Sequence, residues 1–481
     1  MITFSLAIVL LILGYVIYGA IVERIFGADR NRPTPCYTQQ DGIDYIPMPS
    51  WKVYLIQFLN IAGTGPIFGA IQGILFGPAA YLWIVFGCIF GGSVHDYMSG
   101  MISLRSKGAS LPELVGTELG SKVRFVMRVL SLLLMVMVGA VFVTTPAGLL
   151  SALTSDWGVL GTPLFWSVVI FIYYICATLL PIDALIGRIY PVFGIALLVM
   201  AFGVFFGVFT SDGSIPEITE AFANHHPKQI PLFPMLCITI ACGAVSGFHA
   251  TQSPMMARCM KNERLGRPVF YGAMITEGIV AMIWAAAAIK FADALPGDGL
   301  PYEKLLAFMA PEGKVNPAIV VNAICNDWLG TVGAVLAILG VVAAPITSGD
   351  TAFRSARLIV ADFLNYKQDS LVRRLSVSIP LFVVAGAIML LNFDVLWRYF
   401  AWLNQTLSIF TLWMITVWLA RRRKFFYITM LPAMWMTAVC TSYILTAGEG
   451  FGLPLEWSCG AGVALAVLLM ALFVCWYRKM K

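Results

Sequence analysis

Apolar runs of about 20 residues recur almost end to end along this chain, and that feature leaves few folds open. A backbone in hydrocarbon must satisfy its amides within its own element, so long continuous runs mean helices. Strands of a membrane barrel would alternate over segments of about ten residues, and these do not. Charged residues make up 12% of the chain and hydrophobic ones 59%, whereas a soluble domain carries about a quarter charged. The 481 residues therefore predict one bundle instead of three or four soluble domains. No Gly/Ser, Pro-rich or acidic linker divides it. The ten cysteines lie mostly inside apolar runs, as at Cys88, Cys176, Cys237 and Cys242, with neither a CxxC pair nor a disulfide framework. A formal charge of +6, widely dispersed, does not imply nucleic acid.

The pattern predicts an all-α polytopic membrane protein of about 13 transmembrane helices. They fall at roughly 2–23, 51–76, 79–104, 122–150, 162–181, 188–210, 231–260, 267–291, 329–359, 373–392, 396–420, 424–446 and 457–477. The first run has no basic residues ahead of it; Arg24, Arg30 and Arg32 follow it, so it reads as a retained span and not a cleavable signal. Placing the N-terminus outside and the C-terminus inside puts 26 of the 31 Lys and Arg on inner segments and 5 on outer ones. Retention of positive charge on the cytoplasmic side makes this the expected orientation.

Two spans are interrupted near their middles. The second reads Asn60-Ile61-Ala62-Gly63-Thr64-Gly65-Pro66, where two glycines disfavour helix and Pro66 suits the first turn of a restarted one. The seventh reads Cys242-Gly243-Ala244-Val245-Ser246-Gly247-Phe248-His249-Ala250-Thr251-Gln252-Ser253-Pro254, with Ser253-Pro254 as an expected N-cap and first turn. Residues 62–66 and 246–253 are thus expected to be non-helical and to face each other across a midplane cavity. Each break opens a five-helix set, and the two sets run in opposite senses. That 5+5 inverted repeat resembles the LeuT-type transporters. It divides the chain into 1–50 (an extra helix and inner loop), 51–230 (first repeat), 231–420 (second repeat) and 421–481 (two further helices). An opened helix offers amide donors and carbonyl acceptors where water is scarce. The positive end of the restarted half favours a carboxylate. Candidate substrate contacts are Ala62, Gly63, Thr64 and Gly65 in the first break, with Ser246, Gly247, Phe248, His249 and Gln252 in the second.

Five stretches carry a family resemblance: Ile61-Ala62-Gly63-Thr64-Gly65-Pro66, Val94-His95-Asp96-Tyr97, Ser246-Gly247-Phe248-His249, Thr347-Ser348-Gly349-Asp350 with Arg354 and Arg357, and Leu403-Asn404-Gln405. The chain resembles the carbon-starvation protein A family of bacterial inner-membrane transporters, as a short member. The resemblance implies uptake of peptides or pyruvate across the inner membrane. An amino-acid or other small-carboxylate transporter, or a nutrient sensor with a transporter-like body, is the alternative reading. No nucleophile–base pair, HExxH motif or cofactor motif points to an enzyme.

Several polar residues sit at membrane depth. Asp96 lies nine residues before Arg105, about 13 Å along a helix, and Glu277 lies at similar depth in the second repeat. Intramembrane acids face a cavity or a partner, and these two are candidate coupling residues or, alternatively, a structural pair. His249 falls inside the second break, where it contacts substrate or a proton, or simply packs; His95 reads as structural. Ala344, Thr347 and Ser348 share one helix face. Sodium-coupled LeuT-type proteins look similar here, which implies a sodium site completed by carbonyls of the first broken helix. The alternative is hydroxyls back-bonded to their own helix. No organic cofactor is expected; sodium or a proton is the coupling ion. Asp350 and Arg354 are expected to pair locally, Asn404-Gln405 to join helices, and Gly69, Gly73 and Gly77 to allow close packing.

Overall fold

The computed structural model describes residues 1–179, 186–311, 313, 315–390 and 393–480. The helices in chain order are α1 (Ile2–Phe26), α2 (Ser50–Ala62), α3 (Gly65–Phe76) and α4 (Ala79–Arg105). Then come α5 (Ser121–Leu153), α6 (Pro163–Leu179), α7 (Ile186–Thr210), α8 (Leu232–Thr239) and α9 (Gly247–Ala257), and α10 (Glu263–Ala294). The chain closes with α11 (Pro301–Met309), α12 (Pro317–Ala337), α13 (Ala343–Leu364), α14 (Leu371–Ile388), α15 (Phe393–Arg421), α16 (Tyr427–Thr446) and α17 (Leu455–Met480). Among the described residues, nine helices are long and apolar enough to cross a membrane, and the bent pair α2–α3 makes ten. The three remaining expected positions hold α6, the pair α8–α9 and the α12–α13 segment. The expected outer loop before the ninth span instead carries α11 and the start of α12, which kinks at Gly330 (φ 59°).

Burial separates core from periphery. The most apolar stretch of α10 is 89% buried, while those of α1 and α17 are 28% and 22% buried; helices this apolar and this uncovered face lipid. The expected close packing along Gly69 and Gly73 is present. A Cβ at Gly69 would lie 2.9 Å from the Thr239 carbonyl, and one at Gly73 would lie 2.3 Å from the Ile240 side chain. The glycine face of α3 thus lets the end of α8 lie directly against it.

Both breaks differ in extent from the sequence expectation. The first covers only Gly63 and Thr64, because Gly65 and Pro66 already form the first turn of α3, and the bend is 44°. Gly63 adopts φ 44°, ψ −142°, a conformation open to glycine. The second covers residues 240–246, and α9 restarts at Gly247 instead of at Ser253-Pro254. An acceptor from another helix explains that early restart: the Asn404 side-chain oxygen accepts from the Phe248 amide (2.7 Å) and the Ser246 hydroxyl (3.1 Å). This is an N-cap supplied by α15, satisfying donors that a half-helix leaves orphaned.

Two π-turns sit at corresponding places, Gly87–Gly92 within α4 and Arg267–Gly272 within α10. Asp96 and Glu277 follow them by four and five residues.

Candidate functional site

The breaks meet at the centre of the bundle. A Cβ on Gly65 would lie 2.4 Å from the Cys242 sulfur, and one on Gly243 would lie 3.9 Å from the Pro66 Cβ. Beside this crossing is a cavity of about 1280 Å³. Ile61, Ala62, Gly65, Ala241, Cys242 and Phe248 line its deep end; His226, Lys228, Asn316, Arg398 and Glu449 line its mouth. The mouth is on the side that the charge count assigns as outer. Of the candidate substrate contacts, Ala62, Gly65 and Phe248 line the cavity. Gly63 lies instead within reach of Phe142 and Ser348. Thr64 and Ser246 are buried, and the backbone of Asn404 and Ser408 crosses Gly247 closely. Gln252 is buried between helices, its amide donating to the Thr251 hydroxyl (3.2 Å).

Behind the deep end lies a chain of buried polar groups. The Asp96 carboxylate accepts from His95 Nδ1–H (2.8 Å) and from His249 Nδ1–H (2.9 Å). On the far side of the imidazole, His249 Nε2 lies 3.5 Å from Glu277 Oε2. All four residues are fully buried. Asp96 and Glu277, read from the sequence as two acids at equal depth, are therefore joined through one histidine. The Cys242 thiol belongs to the same cluster: its sulfur, a His249 ring nitrogen and a Glu277 oxygen lie within 4.8 Å of one another. The sequence offers no spacing signal for that grouping, because the ligands come from a broken segment, a half-helix and a third helix.

The other polar centre is on α13. The Ser348 hydroxyl is 3.2 Å from the carbonyl oxygens of both Leu59 and Asn60, the last turn of α2. A helix end leaves such carbonyls without intrahelical partners. The Thr347 hydroxyl donates to the Ala344 carbonyl (2.8 Å), the back-bonded arrangement, while the Thr347 carbonyl accepts from Tyr190 (2.9 Å). Hydroxyl and carbonyl oxygens form a donor set suited to a hard monovalent or alkaline-earth cation and not to a soft one.

Asp350 and Arg354 do not form the local pair expected from their spacing. Asp350 accepts from Tyr190 and Tyr173, while Arg354 reaches Asp44 of the loop between α1 and α2 (3.1 Å), as does Arg357 (3.4 Å). Asp44 is buried. Burial opposes its ionisation, yet Arg357, Arg354 and Arg258 outweigh that and hold its carboxyl below the usual carboxylate range. This cluster closes the end of the bundle opposite the cavity mouth. The signal missing from the sequence was distance along the chain: more than 300 residues separate Asp44 from Arg354 and Arg357.

The profile of the carbon starvation protein CstA family matches residues 1–162 and 151–295, more than half of the chain. An uncharacterised membrane protein of Haemophilus influenzae is 45% identical over 60% of this chain and 91% of its own length. The peptide transporter CstA of Bacillus subtilis is 31% identical over 59% of this chain and 57% of its own length. The pyruvate/proton symporter BtsT of Escherichia coli is 28% identical over 56% and 46%, so the match spans about half of each of these two named transporters. Among solved structures, MhsT in complex with L-phenylalanine superposes with a TM-score of 0.54 at 14% identity, covering 86% of this chain and 97% of that one. That likeness identifies the fold as the LeuT type. On these grounds the chain belongs to the carbon starvation protein CstA family.

Proposed function

We propose that this chain is a secondary active transporter that imports a small nutrient, a peptide or pyruvate, across the bacterial inner membrane by cation-coupled alternating access. The observation that carries the reading is the one-sided cavity. It runs from an outer mouth to the two helix breaks, while Asp44, Arg354 and Arg357 close the inner end. The relatives named for peptide and pyruvate transport supply the substrate classes. Lys228 at the mouth favours the entry of a carboxylate.

An anion entering against a negative-inside potential must overcome about 2.3 kcal/mol per charge per 100 mV. A co-transported cation offsets that cost. Sodium is our first assignment, because Ser348 converges with the Leu59 and Asn60 carbonyls; Thr347 and Ala344 would complete the shell. Release of such an ion would free α2 from α13 at the first break. A proton on Asp96 or His249 is the second reading, favoured by the relative named a proton symporter. Uptake of pyruvate, dipeptides and amino acids into proteoliposomes, driven by imposed sodium or proton gradients, tests both. Thr347→Val with Ser348→Ala should abolish sodium stimulation; Asp96→Asn should remove pH dependence if protons couple. Uptake indifferent to both gradients would defeat the coupling reading.

A further inference from the structure

We infer that Cys242, His249 and Glu277 form a binding site for a divalent transition-metal ion, with one coordination position open toward the cavity. The inference goes beyond the transport reading and does not depend on the substrate or coupling ion.

Three observations carry it. First, the donors converge: one thiol sulfur, one imidazole nitrogen and one carboxylate oxygen lie within 4.8 Å of one another. Bonds of about 2.0–2.3 Å set neighbouring donors about 3.3–3.8 Å apart. The His249 Nε2 to Glu277 Oε2 separation of 3.5 Å is already in that interval. Cys242 sits in the non-helical segment between α8 and α9, next to Gly243 at φ 90°, so its sulfur can close the remaining gap without distorting a helix.

Second, two of the three donor residues have ligand atoms that are otherwise unused. His249 Nε2 and both Glu277 carboxyl oxygens are buried without a hydrogen-bond partner. Leaving such groups unmet inside a protein is costly, most of all for charged ones, and a metal ion would satisfy the imidazole nitrogen and one carboxyl oxygen at once. The thiolate and carboxylate together would balance a divalent charge in a region where an unpaired charge is costly. A coordinating thiol gives up its proton to do so.

Third, the imidazole is presented as a ligand. Its Nδ1–H is held by Asp96 (2.9 Å), which leaves Nε2 as the free lone pair and fixes the ring toward Cys242 and Glu277. Metal-bound histidines almost always have such a carboxylate behind them. His95 steadies that carboxylate from its other oxygen (2.8 Å). The mixed sulfur, nitrogen and oxygen set selects zinc, cobalt or nickel over magnesium or calcium. Three protein ligands with a vacant fourth position is the pattern of sites that bind an exchangeable ligand. Cys242 lines the cavity, so the vacant position opens there.

The test uses the full-length protein, solubilised in detergent, stripped with a chelator and titrated with Co²⁺. The expected result is one bound ion per chain, with tetrahedral ligand-field bands and a sulfur-to-cobalt charge-transfer band. Cys242→Ser should lose the charge-transfer band, and Cys242→Asp should bind Co²⁺ without it, which separates a missing ligand from a misfolded chain. His249→Gln and Glu277→Gln should weaken binding by about 100-fold or more, and Asp96→Asn by about 10- to 100-fold with the bands retained. His225→Gln with His226→Gln, in the outer loop, should change nothing. Added pyruvate, as a plain carboxylate, should shift the ligand-field bands. A charge-transfer band that survives Cys242→Ser, or a monodisperse wild-type protein that takes up no Co²⁺, would overturn the site. Bands unmoved by pyruvate would overturn its open position.

Discussion

The two broken helices occupy corresponding places in inverted halves and are built from the same residue types, yet they are held open differently. The first break is two residues long and bends by 44°. Its restart needs no outside help, because Pro66 sits in the first turn of α3 where no amide donor is wanted. What it offers is backbone: the Leu59 and Asn60 carbonyls, met by Ser348. The second break spans residues 240–246, and its restarted half is capped from α15 by Asn404. What it offers is side chains: Cys242 and His249, with Glu277 facing them. A break that exposes carbonyls is suited to a hard cation; one that presents sulfur and imidazole is suited to softer partners. Matching position in an inverted repeat therefore fixes where the polar centre lies but not its chemistry.

Substitution at the crossing should have the largest effect on this contrast. In Gly65→Leu even the Cβ would meet the Cys242 sulfur and Cβ at 2.4 Å, so uptake should be abolished while membrane insertion, followed by protease protection, is retained. Gly386→Ala, where a Cβ meets nothing within 4 Å, should leave uptake unchanged. Equal loss in both variants would mean that the crossing is not special. Next comes Asp44→Asn at the closed end of the bundle, which removes the carboxylate that Arg354 and Arg357 share and should destabilise that arrangement by about 3 kcal/mol. A thermal-unfolding midpoint equal to wild type would remove the cluster from the closure argument.

The cap comes third. Asn404→Ala removes an acceptor from two buried donors of the second break only, and should cost about 2 kcal/mol. Asn404→Asp, which keeps the acceptor, should recover most of it. If both variants unfold like wild type, the second break is self-supporting after all and the contrast with the first collapses. The smallest effect is a pH dependence confined to the first broken helix. His226 packs on Phe76 at the C-terminal end of α3, with ring centroids 4.8 Å apart. Burial, aided by Lys228, holds its imidazole below the ordinary value, so the packed ring is favoured as the neutral form. That contribution is complete above the unfolded value of about 6.5 and is lost as pH falls below it toward the depressed native value. Corrected hydrogen-exchange protection of residues 74–80 should decline over that interval, and His226→Phe should flatten the decline.

How much of this was legible beforehand follows the range of the forces involved. Local chemistry was readable: glycines marked both breaks and proline the restart of the first, and apolar runs placed the helices. The depth of Asp96 and Glu277 followed from their distance to a terminal arginine. The limits of the second break were not readable, because Ser253-Pro254 makes a plausible cap by itself and only the distant Asn404 moves the restart forward to Gly247. For the same reason the i, i+4 spacing of Asp350 and Arg354 misled: nearby tyrosines and a remote aspartate are better partners than each other. His249 could be placed in a break, but its role as the link between two acids depends on three helices meeting.

The π-turns at 87–92 and 267–272 add one more consequence, in angular terms. A helix advances about 100° per residue, and a π-turn is the mark of one residue inserted without breaking the ladder. Everything after it is swung round the helix axis by that amount. Asp96 and Glu277 both lie just downstream, so each acid faces His249 only because its helix carries a surplus residue a turn earlier. Deleting one residue within either π-turn would let the ladder relax to regular α-helix and turn the corresponding carboxyl toward a different neighbour, with no change at the carboxyl itself. The aim of the two acids is thus set by chain length and not by side-chain identity alone.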